Sequence, residues 1–280
     1  MTSSRTWFDQ GPSRECYERG SIITTDDGTQ WEIRERLKQD DIQRAAHSPI
    51  SPSHATLKLR CAKANANPSR AFMRVYLQIP HIGSEFEDSE TRAAQADHTF
   101  QPEELEAYTT LSNHPTVSKF TPKLLGYKVS RQGPSGFVPG GFLIIVVWEY
   151  VEGFPLGDLT GDATGYWSLS GRERAKVREH FERTFKEISS TVGIWPLPTS
   201  PHRLVWNSTT ETLFWVGFRR IVRQKNRVWQ KRCLPIFDLV KTPNNRWTRR
   251  DWDGILQAGN TSYHARIAMT SLAFTEIWQR

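Results

Sequence analysis

The residues most able to do chemistry sit in the second half of the chain. His202, followed by Arg203, lies in the loop Ser200-Pro201-His202-Arg203-Leu204-Val205-Trp206-Asn207. An imidazole there could serve as a general base, and it could equally be a structural group of a Pro-rich loop. Seven cations follow within fourteen residues: Arg219, Arg220, Arg223, Lys225, Arg227, Lys231 and Arg232. Trp229, Trp247 and Trp252 are interleaved with Arg and Lys. That pattern suits base stacking beside phosphate contacts, or tryptophans that anchor a small domain while their neighbours face water. No GxSxG elbow is present, and Cys61 falls in a strand-like run.

Charge is unevenly placed. The chain carries a net +7 over 280 residues. After Gly217, thirteen Lys and Arg face four Asp and Glu, a local balance of +9. Such concentration suggests a polyanionic partner, the alternative being a solvated face. Cys16, Cys61 and Cys233 are far apart and form no CxxC pair, so neither a zinc site nor a disulfide framework is expected. Neither a metal nor a cofactor is implied. No apolar run reaches membrane-spanning length and the N-terminus lacks a signal-like pattern, which makes the cytosol the expected compartment.

These groups must be positioned by an alternation of strands and helices. Residues 21–37 read as a hairpin turning at Asp26-Asp27-Gly28. Residues 45–54 form a Ser/Pro/His linker, and 56–62 and 71–79 alternate as strands. The acidic stretch 83–97 reads as a loop. Pro102 with Glu103 and Glu104 starts a helix to residue 111. Residues 124–129 and 142–151 form a second hairpin around a Gly/Pro loop. Ser170 caps a long helix over 171–191, with Val177, Phe181, Phe185 and Ile188 at helical spacing. Short strands are expected at 204–206 and 213–216, and a last helix at 263–278.

The order of elements and several local sequences resemble the protein-kinase fold over residues 55–220. Ala71-Phe72-Met73-Arg74 is similar to the strand that carries a kinase's phosphate-binding lysine. Glu106 resembles the helix glutamate that pairs with it. Thr121-Pro122-Lys123-Leu124-Leu125-Gly126-Tyr127 and Trp148-Glu149-Tyr150-Val151-Glu152-Gly153 resemble a strand pair leading to a hinge. Together they look like a large fungal group of kinase-like proteins. The resemblance implies an α+β, degenerate two-lobed kinase-like fold with a reduced C-lobe. Its parts would be a lead-in and hairpin over 1–54, an N-lobe over 55–152 and a C-lobe over 153–280.

The departures fall on the chemistry. Kinases use a lysine on the phosphates, an aspartate base, and an asparagine and an aspartate on metal. Here Arg74 replaces the lysine, the His202 loop has no aspartate, Arg203 falls near the asparagine position, and Gly217 replaces the metal aspartate. An arginine and a glycine cannot hold a divalent cation. Phosphoryl transfer is therefore not expected.

Within that fungal group the chain most resembles the arginine-containing cyclodipeptide synthases, which consume aminoacyl-tRNA in secondary metabolism. The resemblance implies an aminoacyltransferase joining arginine and a second amino acid into a diketopiperazine. His202, Arg203, Glu106 and Arg74 would then be catalytic. Glu149, Glu152 and Asp158 would bind the arginyl substrate, with Glu85, Glu87, Asp88, Glu103 and Glu104 as further acids. The seven cations from Arg219 to Arg232 would bind tRNA, including arginyl-tRNA. The other reading of the same residues is a pseudokinase or noncanonical kinase acting as a nucleotide- or partner-binding module. Glu106 could also be only a structural partner of Arg74.

Overall fold

A computed structural model describes residues 6–10, 15–46, 51–64, 70–158, 160–231 and 233–241. The expected helix at 263–278, Trp247, Trp252 and Arg232 lie outside the described residues. The chain is α+β and divides into two compact units. One comprises residues 1–108 and 123–150, the other 109–122 and 151–280. The lead-in hairpin therefore belongs to the same unit as the strands after it.

The first unit is built on a six-stranded antiparallel sheet. Its strands are β1 (Ile22–Thr24), β2 (Gln30–Ile42), β3 (His54–Lys63), β4 (Ala71–Gln78), β5 (Leu124–Arg131) and β6 (Phe142–Glu149), in the order β1-β2-β3-β4-β6-β5. β4 is central, and alternation there separates two faces. Ala71, Met73, Val75 and Leu77 enter a core with Ile33, Leu57, Leu59 and Val147. Phe72, Arg74, Tyr76 and Gln78 point the other way. β2 runs five residues further than the expected hairpin, with register shifts at Ile33/Glu35 and Arg36/Lys38. Such bulges let a long strand coil. The two sheet edges meet: Asp26 N donates to Tyr127 O (2.8 Å), and Val129 N donates to Asp26 Oδ2 (3.1 Å).

The acidic stretch is more ordered than expected. Helix α1 (Ser89–Ala93) starts there, because Asp88 caps it by accepting from Thr91 N at 2.7 Å. Helix α2 (Glu103–Asn113) follows.

The second unit is organised by helix α4 (Gly171–Ser190), preceded by β7 (Phe154–Pro155) and α3 (Thr164–Ser168). Ser170 and Glu173 form a reciprocal capping box, which fixes the start of α4. Its buried face is Val177, Phe181, Thr184, Phe185 and Ile188. Phe181 stacks on Trp215 with centroids 5.2 Å apart, and Trp215 Nε1 donates to Thr184 Oγ1 (2.9 Å). Trp215 sits on β10 (Thr212–Trp215), paired with β9 (Leu204–Asn207), which pairs with β7. Two strands not expected from sequence, β8 (Ile194–Pro196) and β11 (Ile221–Arg223), pair with each other. A short helix α5 (Cys233–Ile236) is the last helix or strand among the described residues. Residues 109–122 join this unit, with Trp215 N donating to Phe120 O (2.9 Å). Among the described residues, no helix is long and apolar enough to cross a membrane.

Candidate functional site

Arg74 is held where β4 faces α2, and its partner is Glu104. Arg74 Nη1 lies 2.6 Å from both carboxylate oxygens of Glu104, and Tyr76 Oη donates to Glu104 Oε2 at 2.9 Å. All three residues are buried. The guanidinium also stacks on Trp148, 5.3 Å from the ring centroid. Burial disfavours the Arg74 charge, but Glu104 together with Tyr76 and Tyr108 outweighs it and raises its pKa. Burial first, then Glu104, push the Tyr76 phenol up as well.

Glu106 does not take part in this pair, which corrects its expected role. On α2 the buried positions are Glu104, Leu105, Ala107, Tyr108 and Leu111, and Glu106 is exposed. Positions 104, 108 and 111 follow the helical repeat, and 106 falls off it. The stripe through Tyr108 and Leu111 was the signal that could have selected Glu104.

In the second unit the expected loop is a 3-10 turn (Pro201–Arg203) entering β9. His202 Nδ1 lies 2.9 Å from Ser200 Oγ, and Ser200 is buried. Burial first, then the Arg203 charge, bring the imidazole pKa down to about 4, with Asp158 opposing. His202 is thus a neutral partner at neutral pH and a weak base, which argues against the general-base role.

Arg203 bends over Gly217. Its Nη2 donates to Leu197 O (2.7 Å), and Val216 N donates to Arg203 O (2.8 Å). A Cβ on Gly217 would strike Arg203 Nη1 and approach Cδ and Cζ at 3.1 and 3.2 Å. Gly217 has φ +79°, a left-handed conformation that favours glycine. The position that the sequence resemblance equates with a kinase's metal-binding aspartate is a glycine covered by a cation. The donor set does not fit a divalent metal. Among the described residues, no group of three or more His, Cys, Asp or Glu gathers that could hold one.

The acids expected to line an arginine pocket are each exposed or engaged by near neighbours. Glu87, Asp88 and Glu103 are exposed, Asp88 is spent on the α1 cap, and Glu104 is committed to Arg74. Glu85 accepts from the Gln43 amide. Glu149 Oε2 accepts from Lys123 N (3.2 Å), and Glu152 is exposed. Asp158 accepts from Thr160 N (2.9 Å) and the Thr160 hydroxyl, which hold its carboxyl below the usual range.

The basic segment is only partly a surface. Arg220, Arg223, Lys225 and Lys231 are exposed, and Arg219 is half-buried. Arg227 is a core residue, which corrects its assignment as a tRNA contact. It stacks on Trp195 at 4.9 Å and donates through Nε to Gln224 Oε1 (2.7 Å). Its carbonyl accepts from Ser189 Oγ (2.8 Å). Burial lowers its pKa to about 10.

No protein-family model matches the chain, and no curated protein does. The chain is similar to solved structures of protein kinases. Vaccinia related kinase 3 is 14% identical, with a TM-score of 0.37 over 74% of this chain and 52% of that one. The Cydia pomonella granulovirus kinase PK-1 is 13% identical, with a TM-score of 0.37 over 66% and 53%. The chain thus spans about half the length of the solved structures it matches. The expectation of an aminoacyl-tRNA-dependent cyclodipeptide synthase is corrected: these matches are kinases, and nothing in the comparisons points to such a synthase or to a fungal source.

Proposed function

We propose that the chain is a kinase-like binding module, of the pseudokinase type, that engages a nucleotide or a protein partner without transferring a phosphoryl group. The observation that carries this reading is Arg203 packed over Gly217, a fixed cation at the position that the sequence resemblance equates with a metal-binding carboxylate. The buried Arg74–Glu104 pair supports it. That pair keeps the strand-to-helix ion pair of a kinase, but its guanidinium is tied to both carboxylate oxygens and to a Trp face. A cytosolic setting is part of the reading.

The test combines two measurements on the pure protein. Incubation with γ-labelled ATP and magnesium or manganese should give no metal-dependent label on the chain or on added substrates. Thermal unfolding with ATP should show any nucleotide stabilisation to be the same with and without chelator. Metal-dependent transfer of the γ-phosphate would overturn the reading.

A further inference from the structure

Two exposed apolar side chains stand on braced loops of opposite charge. Phe86 is fully exposed, at 101%. The loop is pinned on either side of it, by a side chain before and the backbone after. Glu85 accepts from the Gln43 amide, and Glu87 O accepts from Arg92 Nε (3.1 Å). Arg92 Nη1 also donates to Phe137 O (2.7 Å). Gln95 bridges the base of the loop, accepting from His81 N (2.9 Å) and donating to Ser84 Oγ (2.9 Å). Glu85, Glu87, Asp88 and Glu90 surround Phe86 in sequence, and no Lys or Arg falls between His81 and Thr91.

Val228 is the counterpart, 69% exposed. Its neighbours are anchored inward. Arg227 is stacked on Trp195, and Trp229 packs on Phe181 and Phe185 with centroids 5.9 and 5.3 Å apart. Asn226 N donates to Ser189 O (2.8 Å). Exposed Arg223, Lys225 and Lys231 flank the valine.

An apolar group held in water by an ordered backbone loses little conformational entropy on docking. A central apolar contact with a charged rim is the general anatomy of a protein interface. The charge of each rim selects the other. We propose that the chain associates with itself head to tail, the Phe86 loop of one copy seating on the Val228 loop of the next. Two different patches in contact make a heterologous interface, which either closes into a ring or continues from copy to copy.

Sedimentation velocity on the full chain over a concentration series tests this. At low salt the parent should assemble as concentration rises, and high salt should loosen the assembly by screening the rims. Phe86→Ala and Val228→Asp should each be monomeric. Both replace exposed side chains, so circular dichroism and the thermal midpoint should match the parent. An equimolar mixture of the two variants retains one intact acidic loop and one intact basic loop. It should form a dimer that grows no further. A parent that stays monomeric at low salt, a Phe86→Ala protein that assembles like the parent, or a mixture that stays monomeric would each overturn the proposal.

Discussion

The Arg203 guanidinium occupies the space a Cβ of Gly217 would need, so this packing requires glycine at 217. Gly217→Asp would add a Cβ in a left-handed conformation and drive it into Arg203. The expected loss is on the order of 2 kcal/mol or more, from backbone strain and overpacking together. Arg203→Ala in the same chain should recover part of it. Urea unfolding of the parent, the single variant and the double variant measures both steps. A Gly217→Asp chain as stable as the parent would show that the contact does not constrain this position.

Arg74 and Glu104 should behave as a unit. Removing one partner leaves the other charge buried, so Arg74→Ala or Glu104→Ala should each cost roughly 3–5 kcal/mol. Arg74→Met with Glu104→Leu should cost far less than the sum. Arg74→Lys is not a conservative change, because an ammonium cannot keep both the carboxylate and the Trp148 face. A denaturation double-mutant cycle reads the coupling, and additive losses would argue against it.

Glu106 supplies the contrast. It is exposed and lies off the buried stripe of α2. Glu106→Ala should change stability by no more than about 0.5 kcal/mol, in the same assay that registers Glu104→Ala.

His202 should make the fold sensitive to acid. Its pKa is about 4 in the folded chain, against an ordinary imidazole value of 6.5. The unfolded chain therefore binds the proton first as pH falls. The contribution is fully present above about pH 6.5 and is lost progressively down to about pH 4. In His202→Gln, the fall in thermal midpoint between those pH values should be shallower than in the parent. Parallel curves would show that another group carries the effect.

Much of the architecture was legible because it rests on local pattern. β4 and β6 are strand-length runs rich in apolar residues, and α4 has both its cap and its repeat in the sequence. The site was less legible. Three acids crowd the first turns of α2, and only the stripe through Tyr108 and Leu111 separates Glu104 from Glu106. Arg227 resembled its six basic neighbours, because the Trp195 face that buries it arrives from thirty-two positions away. β8 and β11 are three residues each and are defined by pairing alone. Their residues carry no period long enough to read.

The seam at Asp26 has a consequence for how the chain is made. Its carboxylate accepts from Val129, 103 positions later. During synthesis β1 to β4 emerge first, and the place beside β4 stays empty until β6 has been translated. Up to that point the nascent chain carries an unfilled strand edge at β4. Closing so long a loop is slow compared with forming local turns. This unit therefore cannot complete its sheet until residue 149 has been translated, and until then the β4 edge is open to wrong pairing.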